Sequence, residues 1–214
     1  MTVLVAALSL QAAAPDMRAA VVTFDPPPIP TGSRLLQSYQ EAGMYFYGSL
    51  DKPFSHAASG RSLAPDNGTG YLNVTRFYCH FRPTQGPCIL GSVDLSEYSI
   101  YFAYPHVWTF TATLVDGSRV GTNFTTDGIM DGPGNQPDFQ RFTFDNRFTA
   151  VVDVEISWAF GHNYGGPAMD NLTFTPIPEP SSWSVAVMAS ILHGSRRRNR
   201  REPQRERALG RLPG

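Results

Sequence analysis

Asp170 is the side chain in this sequence that most needs a chemical explanation. It stands in MDNLTFTP with the alternation parity of Leu172 and Phe174, so in an extended strand it points inward. A buried carboxylate is costly unless it is hydrogen-bonded, paired or bound to a cation. Asp25 closes the first strand-like run, VVTFD. If the first and last strands are neighbours, Asp25 and Asp170 can share a Ca²⁺. Backbone and Asn carbonyls would complete a shell of roughly six to eight oxygens. The other reading is that Asp170 accepts hydrogen bonds from strand-end amides.

Cys79 and Cys88 are the only cysteines, and the residues between them include Pro83, Gly86 and Pro87. That spacing reads as a turn whose two arms a disulfide would join, and an even cysteine count suits an exported chain. A bridge closing so short a loop would contribute roughly 2–3 kcal/mol. Free buried thiols are the alternative. Metal binding would need more ligands than Cys79, His80 and Cys88 supply.

A sugar-binding surface needs aromatic rings outside the core together with polar groups. Trp108 and Trp158 share parity with aliphatic neighbours and belong to the core. Tyr104 and His106 are better placed, as are His162, Asn163 and Tyr164 in GHNYGGP, although that loop also reads as a solvated turn. His56 and His80 have no partner at metal spacing. Catalysis finds little support: GxSxG, HExxH, SxxK and phosphate-loop patterns are all missing. Asp94 and Glu97 could form a glycosidase pair, but nothing sets them above Asp153 or Glu155, and such charges ordinarily solvate strand faces. No enzyme activity is expected. Asn67, Asn73, Asn123 and Asn171 each begin an Asn-x-Thr sequence, which chance explains in a Thr-rich strand protein.

Strands must position these residues. Val152, Val154, Ile156 and Trp158 alternate with polar side chains, and Trp108, Phe110, Ala112 and Leu114 alternate with threonines. This period of two marks strands with one buried and one wet face. Asp116-Gly117 follows the second run and signals a hairpin. Strand-like runs fall near 21–25, 44–48, 71–78, 88–94, 98–104, 107–115, 119–125, 139–144, 149–159 and 168–175. Long Gly/Pro/Asn-rich loops separate several of them, at Pro26–Gly32, Ser55–Gly70 and Asp127–Pro137. No stretch shows capped helical periodicity. The expectation is an all-β fold, a two-sheet antiparallel β-sandwich (jelly roll) over residues 21–175.

Composition agrees. The 214 residues are 42% hydrophobic, 12% aromatic and only 16% charged, too apolar for a disordered chain and unlike a coiled coil. The formal charge of −1 hides an asymmetry. Eight of the 17 Lys and Arg residues lie between Arg196 and Arg211 against two acids, leaving residues 1–195 at −7. An acidic body is a poor nucleic-acid binder, and no nucleic-acid partner is expected.

The two ends carry targeting signals. Residues 3–14, VLVAALSLQAAA, have the length of a signal-peptide apolar region, so residues 1–20 read as a weak signal peptide without a basic n-region. Residues 178–201 run PEPSSWSVAVMASILHGSRRRNRR: Pro178-Glu179-Pro180, a short apolar and helix-compatible run, then Arg196, Arg197, Arg198, Arg200 and Arg201. An apolar segment followed by arginines has a stop-transfer layout. The apolar run spans about 10–13 residues, short of the roughly 20 a membrane helix needs.

This end resembles the PEP-CTERM sorting signal of exported Gram-negative proteins, and the order of VVTFD, YQEAGMYF, ILGSVDLSEY, LVDGSRV and MDNLTFTPIPEP along the body is similar to that family too. The resemblance implies that an exosortase-type processing enzyme recognises Pro178, Glu179 and Pro180. It implies that the arginines hold a transient intermediate in the inner membrane. The signal would occupy residues 176–201, and residues 202–214 would be a basic, disordered tail. The body would resemble carbohydrate-binding modules, which often hold a structural calcium. The protein would be a non-catalytic component of the cell surface, envelope or extracellular matrix; the alternative is a carbohydrate-binding module or lectin-like domain that binds exopolysaccharide.

Overall fold

In the computed structural model, the described residues are 18–25, 33–48, 54–57, 65, 68–74, 78–97, 104–158 and 168–178. The chain divides into two units, Met1–Ile177 and Pro178–Gly214, and of the second only Pro178 is described. The apolar run, the arginines and the tail therefore lie outside the described residues, as does the N-terminal segment 1–17. No helix among the described residues is long and apolar enough to cross a membrane.

The first unit is a two-sheet antiparallel β-sandwich of the jelly-roll kind. Its first strands are β1 (Ala20–Val22), β2 (Ser33–Leu36), β3 (Ser38–Glu41), β4 (Met44–Gly48) and β5 (Phe54–Ala57). There follow β6 (Tyr71–Val74), β7 (Tyr78–Pro83), β8 (Cys88–Leu90), β9 (Ser92–Ser96) and β10 (Val107–Leu114). The last are β11 (Arg119–Thr125), β12 (Gln140–Thr143), β13 (Val151–Trp158), β14 (Ala168–Asp170) and β15 (Leu172–Pro176). The larger sheet is ordered β1-β15-β8-β13-β7-β4-β3, with β10 joining β11 to β13, and the smaller is β12-β9-β14-β6-β5-β2.

The alternating runs form the two longest strands, β10 and β13, which pair from Trp108↔Trp158 to Leu114↔Val151 with an irregularity after Thr113. The Asp116-Gly117 hairpin joins β10 to β11, and Asp116 Oδ1 accepts from Ser118 N (2.9 Å) and Ser118 Oγ (2.6 Å). One apolar cluster fills the sandwich, drawing Phe46, Phe81, Trp108, Phe110 and Ile156 from the larger sheet and Leu72, Val74, Val93, Leu95 and Met169 from the smaller. Trp108 is fully buried and Trp158 is 8% exposed, as their parity predicts.

The sequence runs 88–94 and 168–175 each prove to be two strands that change sheets. Gly91 separates β8 in the larger sheet from β9 in the smaller, and Asn171 (φ 45°) separates β14 from β15. A Cβ on Gly91 would lie 2.5 Å from Thr173 Oγ1, so the crossing needs glycine there. No alternating run announces the strands β2, β3, β5 and β7. β5 lies partly within the expected loop Ser55–Gly70, and β7 lies inside the expected Cys79–Cys88 turn.

That last difference removes the disulfide. β10 occupies one edge of β13 along its length, so β7 and β8 share the other edge end to end. The chain leaves the sheet at Thr84–Pro87 and resumes in the same direction rather than reversing. Cys79 stands opposite Ile156 and Cys88 opposite Val151, a five-residue offset of about 17 Å at strand rise. A bridge needs Cα atoms within about 7 Å. Both cysteines are free and buried. Burial pushes the Cys79 thiol up and the Cys88 thiol to about 12, so both stay protonated and inert.

Candidate functional site

The first and last strands pair as expected, with Val22 opposite Leu172, and this brings Asp25 and Asp170 to the same dipeptide. Thr69 Oγ1 donates to Asp170 Oδ2 (3.2 Å), and the next residue, Gly70, donates its N–H to Asp25 Oδ1 (2.8 Å). Asp170 is fully buried and its Oδ1 also accepts from Asn171 N (2.7 Å). Nearby, Glu41 at the end of β3 accepts from Thr23 N (3.1 Å), Thr23 Oγ1 (3.0 Å), Phe24 N (2.8 Å) and Tyr39 Oη (2.7 Å). These bonds hold Phe24 at φ 56°, a left-handed geometry that a phenylalanine rarely adopts.

The expected sugar contacts fare differently. The Tyr104 and His106 rings stack at 4.9 Å and 11°, but His106 is only 2% exposed. Its backbone N–H donates to Thr126 Oγ1, and its carbonyl accepts from Thr126 N. His106 is thus packed inside rather than presented to solvent. His162, Asn163 and Tyr164 lie outside the described residues. Asp94 is engaged as well: Arg141 binds both its oxygens (2.8 and 3.1 Å) and Asn171 Nδ2 donates to Oδ2 (3.0 Å).

An aromatic and charged surface appears instead on the outer face of the larger sheet. Along β4, Met44 and Phe46 point into the core while Tyr45 and Tyr47 point out. The two tyrosine rings lie 5.6 Å apart and 15° from parallel. Across the ladder Tyr45 faces Gln40 on β3 and Arg82 on β7, and Tyr47 faces His80. The Arg82 guanidinium packs over both rings, at 5.6 and 5.3 Å from their centroids, a cation–π arrangement that orders the pair. His80 stacks on Tyr47 at 5.2 Å and 18°.

On the next strand, Asp153 accepts from the Tyr47 hydroxyl (2.5 Å) and lies 3.3 Å from His80 Nδ1. Glu155, opposite His80, accepts from Arg119 (3.2 Å). Beside the rings opens a cleft of about 490 Å³ lined by Gln40, Tyr45, Arg82, Pro83 and Thr84. Pro83 and Thr84 reach it because the chain bulges outward after β7, and Thr84 N and Oγ1 both donate to the Gly43 carbonyl (2.8 and 3.0 Å).

Burial and the Asp153 hydrogen bond push the Tyr47 phenol up to about 12. The folded state therefore keeps this proton between about pH 10 and pH 12 while the unfolded chain loses it, so stability falls across that window. In an ultraviolet titration, Tyr47→Phe is expected to remove one late-ionising phenol. Loss of a phenol titrating near pH 10 instead would contradict this geometry.

No protein-family model and no curated protein matches the chain. An exo-β-1,3-galactanase from Phanerochaete chrysosporium with galactose aligns at 12% identity and a TM-score of 0.34, over 68% of this chain. This chain spans only 29% of that protein. A family 29 carbohydrate-binding module aligns at 11% identity and 0.32, over 77% of this chain and all of that one. The N-terminal modules of a Clostridium thermocellum endo-1,4-β-D-xylanase with xylohexaose align at 10% and 0.32, over 75% of this chain and 28% of theirs. These likenesses are distant.

Proposed function

We propose that this chain is an exported, non-catalytic protein of the cell envelope or extracellular matrix whose β-sandwich binds polysaccharide on the outer face of its larger sheet. The observation that carries this reading is the near-parallel Tyr45–Tyr47 pair ordered beneath Arg82. The ring area that Arg82 and His80 leave uncovered would meet the C–H face of a sugar. Gln40, Arg82, His80 and the Asp153 and Glu155 carboxylates supply donors and acceptors for its hydroxyls. A few such groups around an apolar cleft are what orients a small ligand. The test is a panel of bacterial exopolysaccharides and soluble β-glucans. Saturable binding to at least one is expected; folded protein that binds none of them overturns the reading.

Sorting is the other half of the proposal, and it is supported by the sequence of the tail. An exosortase-type enzyme reads Pro178, Glu179 and Pro180, two prolines that disfavour a helix around the glutamate. The arginines from Arg196 to Arg201 hold the intermediate at the inner membrane before the body reaches the surface or medium. Changing Glu179 to Ala should leave the sandwich folded and alter the processed mass in an exosortase-bearing host. An unchanged mass ladder counts against it. A Ca²⁺ shared by Asp25 and Asp170 belongs to the same proposal. It is supported by their common contact with Thr69–Gly70.

A further inference from the structure

We infer that Glu97, Asp127 and Asp138 form a second divalent-cation site, of the calcium class, at the opposite end of β9 and β14 from Asp170. One carboxylate oxygen from each residue lies within 4.8 Å of the others. That is the largest separation two oxygens can have around one ion at roughly 2.4 Å from each.

The cluster is more than an acidic surface. Glu97 is fully buried. Its Oε1 accepts from Gly128 N (2.8 Å), while Oε2 is buried without a hydrogen-bond partner. Asp138 Oδ1 is likewise buried without a partner, and so is Gln136 Oε1 in the same loop. Buried carboxylate oxygens are seldom left in this state, because desolvating them without a partner is costly. None of the ion pairs among the described residues involves these acids.

The backbone is shaped for it. A Cβ on Gly128 (φ +76°) would lie 2.5 Å from the Tyr104 carbonyl carbon, so only glycine lets the loop approach closely enough to donate to Glu97. Asp127 Oδ1 accepts from Ile129 N (2.8 Å), which fixes its side chain at the site mouth. Oxygen-only ligands, several of them charged, suit Ca²⁺ rather than a softer transition metal. Bound there, the ion would tie the 127–138 loop to the end of β9.

This inference does not depend on polysaccharide binding, and calorimetry separates it from Asp25–Asp170. The full-length protein carrying Asp25→Asn, stripped with chelator, is titrated with CaCl₂. It is expected to take up one Ca²⁺ through this cluster, and adding Glu97→Gln is expected to abolish that uptake. Asp127→Asn, at an exposed position, is expected to weaken it at least tenfold while leaving circular dichroism unchanged. Either an Asp25→Asn protein that takes up no Ca²⁺, or uptake that survives both Glu97→Gln and Asp127→Asn unchanged, overturns the assignment.

Discussion

Phe46→Ala is expected to destabilise the sandwich by about 3–5 kcal/mol, the usual cost of deleting a buried aromatic ring. Phe46 is fully buried. Its ring meets Phe24 at 5.2 Å, Phe81 at 5.4 Å and Tyr39 at 6.2 Å, so truncation opens a cavity among side chains from β3, β4, β7 and the end of β1. Those neighbours are held by backbone ladders and by the four hydrogen bonds to Glu41, and they collapse into the space only in part. For a domain of this size the midpoint of thermal unfolding falls by about 2–4 °C per kcal/mol, so a drop near 10 °C is expected. A drop of under 3 °C would mean that the ring is not a core residue and that β4 is differently placed.

One position earlier on the same strand the expectation reverses. Tyr45→Ala faces outward, beside the cleft, and should change stability by no more than about 1 kcal/mol. It should weaken polysaccharide binding at least tenfold, because ordered aromatic rings at the centre of a binding surface carry a large share of its energy. Arg82→Ala is expected to weaken binding comparably, by removing a donor and by releasing both tyrosine rings. Arg82→Lys should restore only part of the loss, since an ammonium lacks the planar, multi-donor guanidinium. Equal binding by wild type, Tyr45→Ala and Arg82→Ala would remove this face from consideration.

The contrast between Phe46 and Tyr45 also shows what the sequence makes legible. Where apolar and polar residues alternate, as in β10, strand and buried face can both be read, and Asp116-Gly117 marks the hairpin to β11. In β13 the reading holds from Val154 to Trp158, but the irregularity beside Leu114 turns Val151 inward in place of the expected Val152. In MYFY both parities are aromatic, so hydrophobic contrast does not say which tyrosines face out; Gln40, His80 and Arg82 across the ladder decide it. β3 carries a single inward residue, Tyr39, too little to count as alternation.

Turn residues mislead in a specific way. Thr84–Pro87 has the chemistry of a reversal, yet the chain makes an excursion and continues along the same edge. Gly/Pro content cannot separate the two, because both need the same backbone conformations. Asp170 is buried as its parity suggests, but for another reason: all three residues of β14 are buried, and the break at Asn171, which depends on tertiary packing, puts Leu172 and Phe174 in the other sheet. Glu97, Asp127 and Asp138 are brought together across the fold from positions up to 41 residues apart, and no local pattern announces them.

The most direct test of polysaccharide binding on the larger sheet is a backbone-amide NMR titration of the protein with an oligosaccharide fragment of whichever panel member binds. Shifts are expected to concentrate at Gln40, Tyr45, Tyr47, His80 and Arg82, on β3, β4 and β7, with the smaller sheet unmoved. Shifts confined to the smaller sheet, or to the segment around Tyr104, would contradict it.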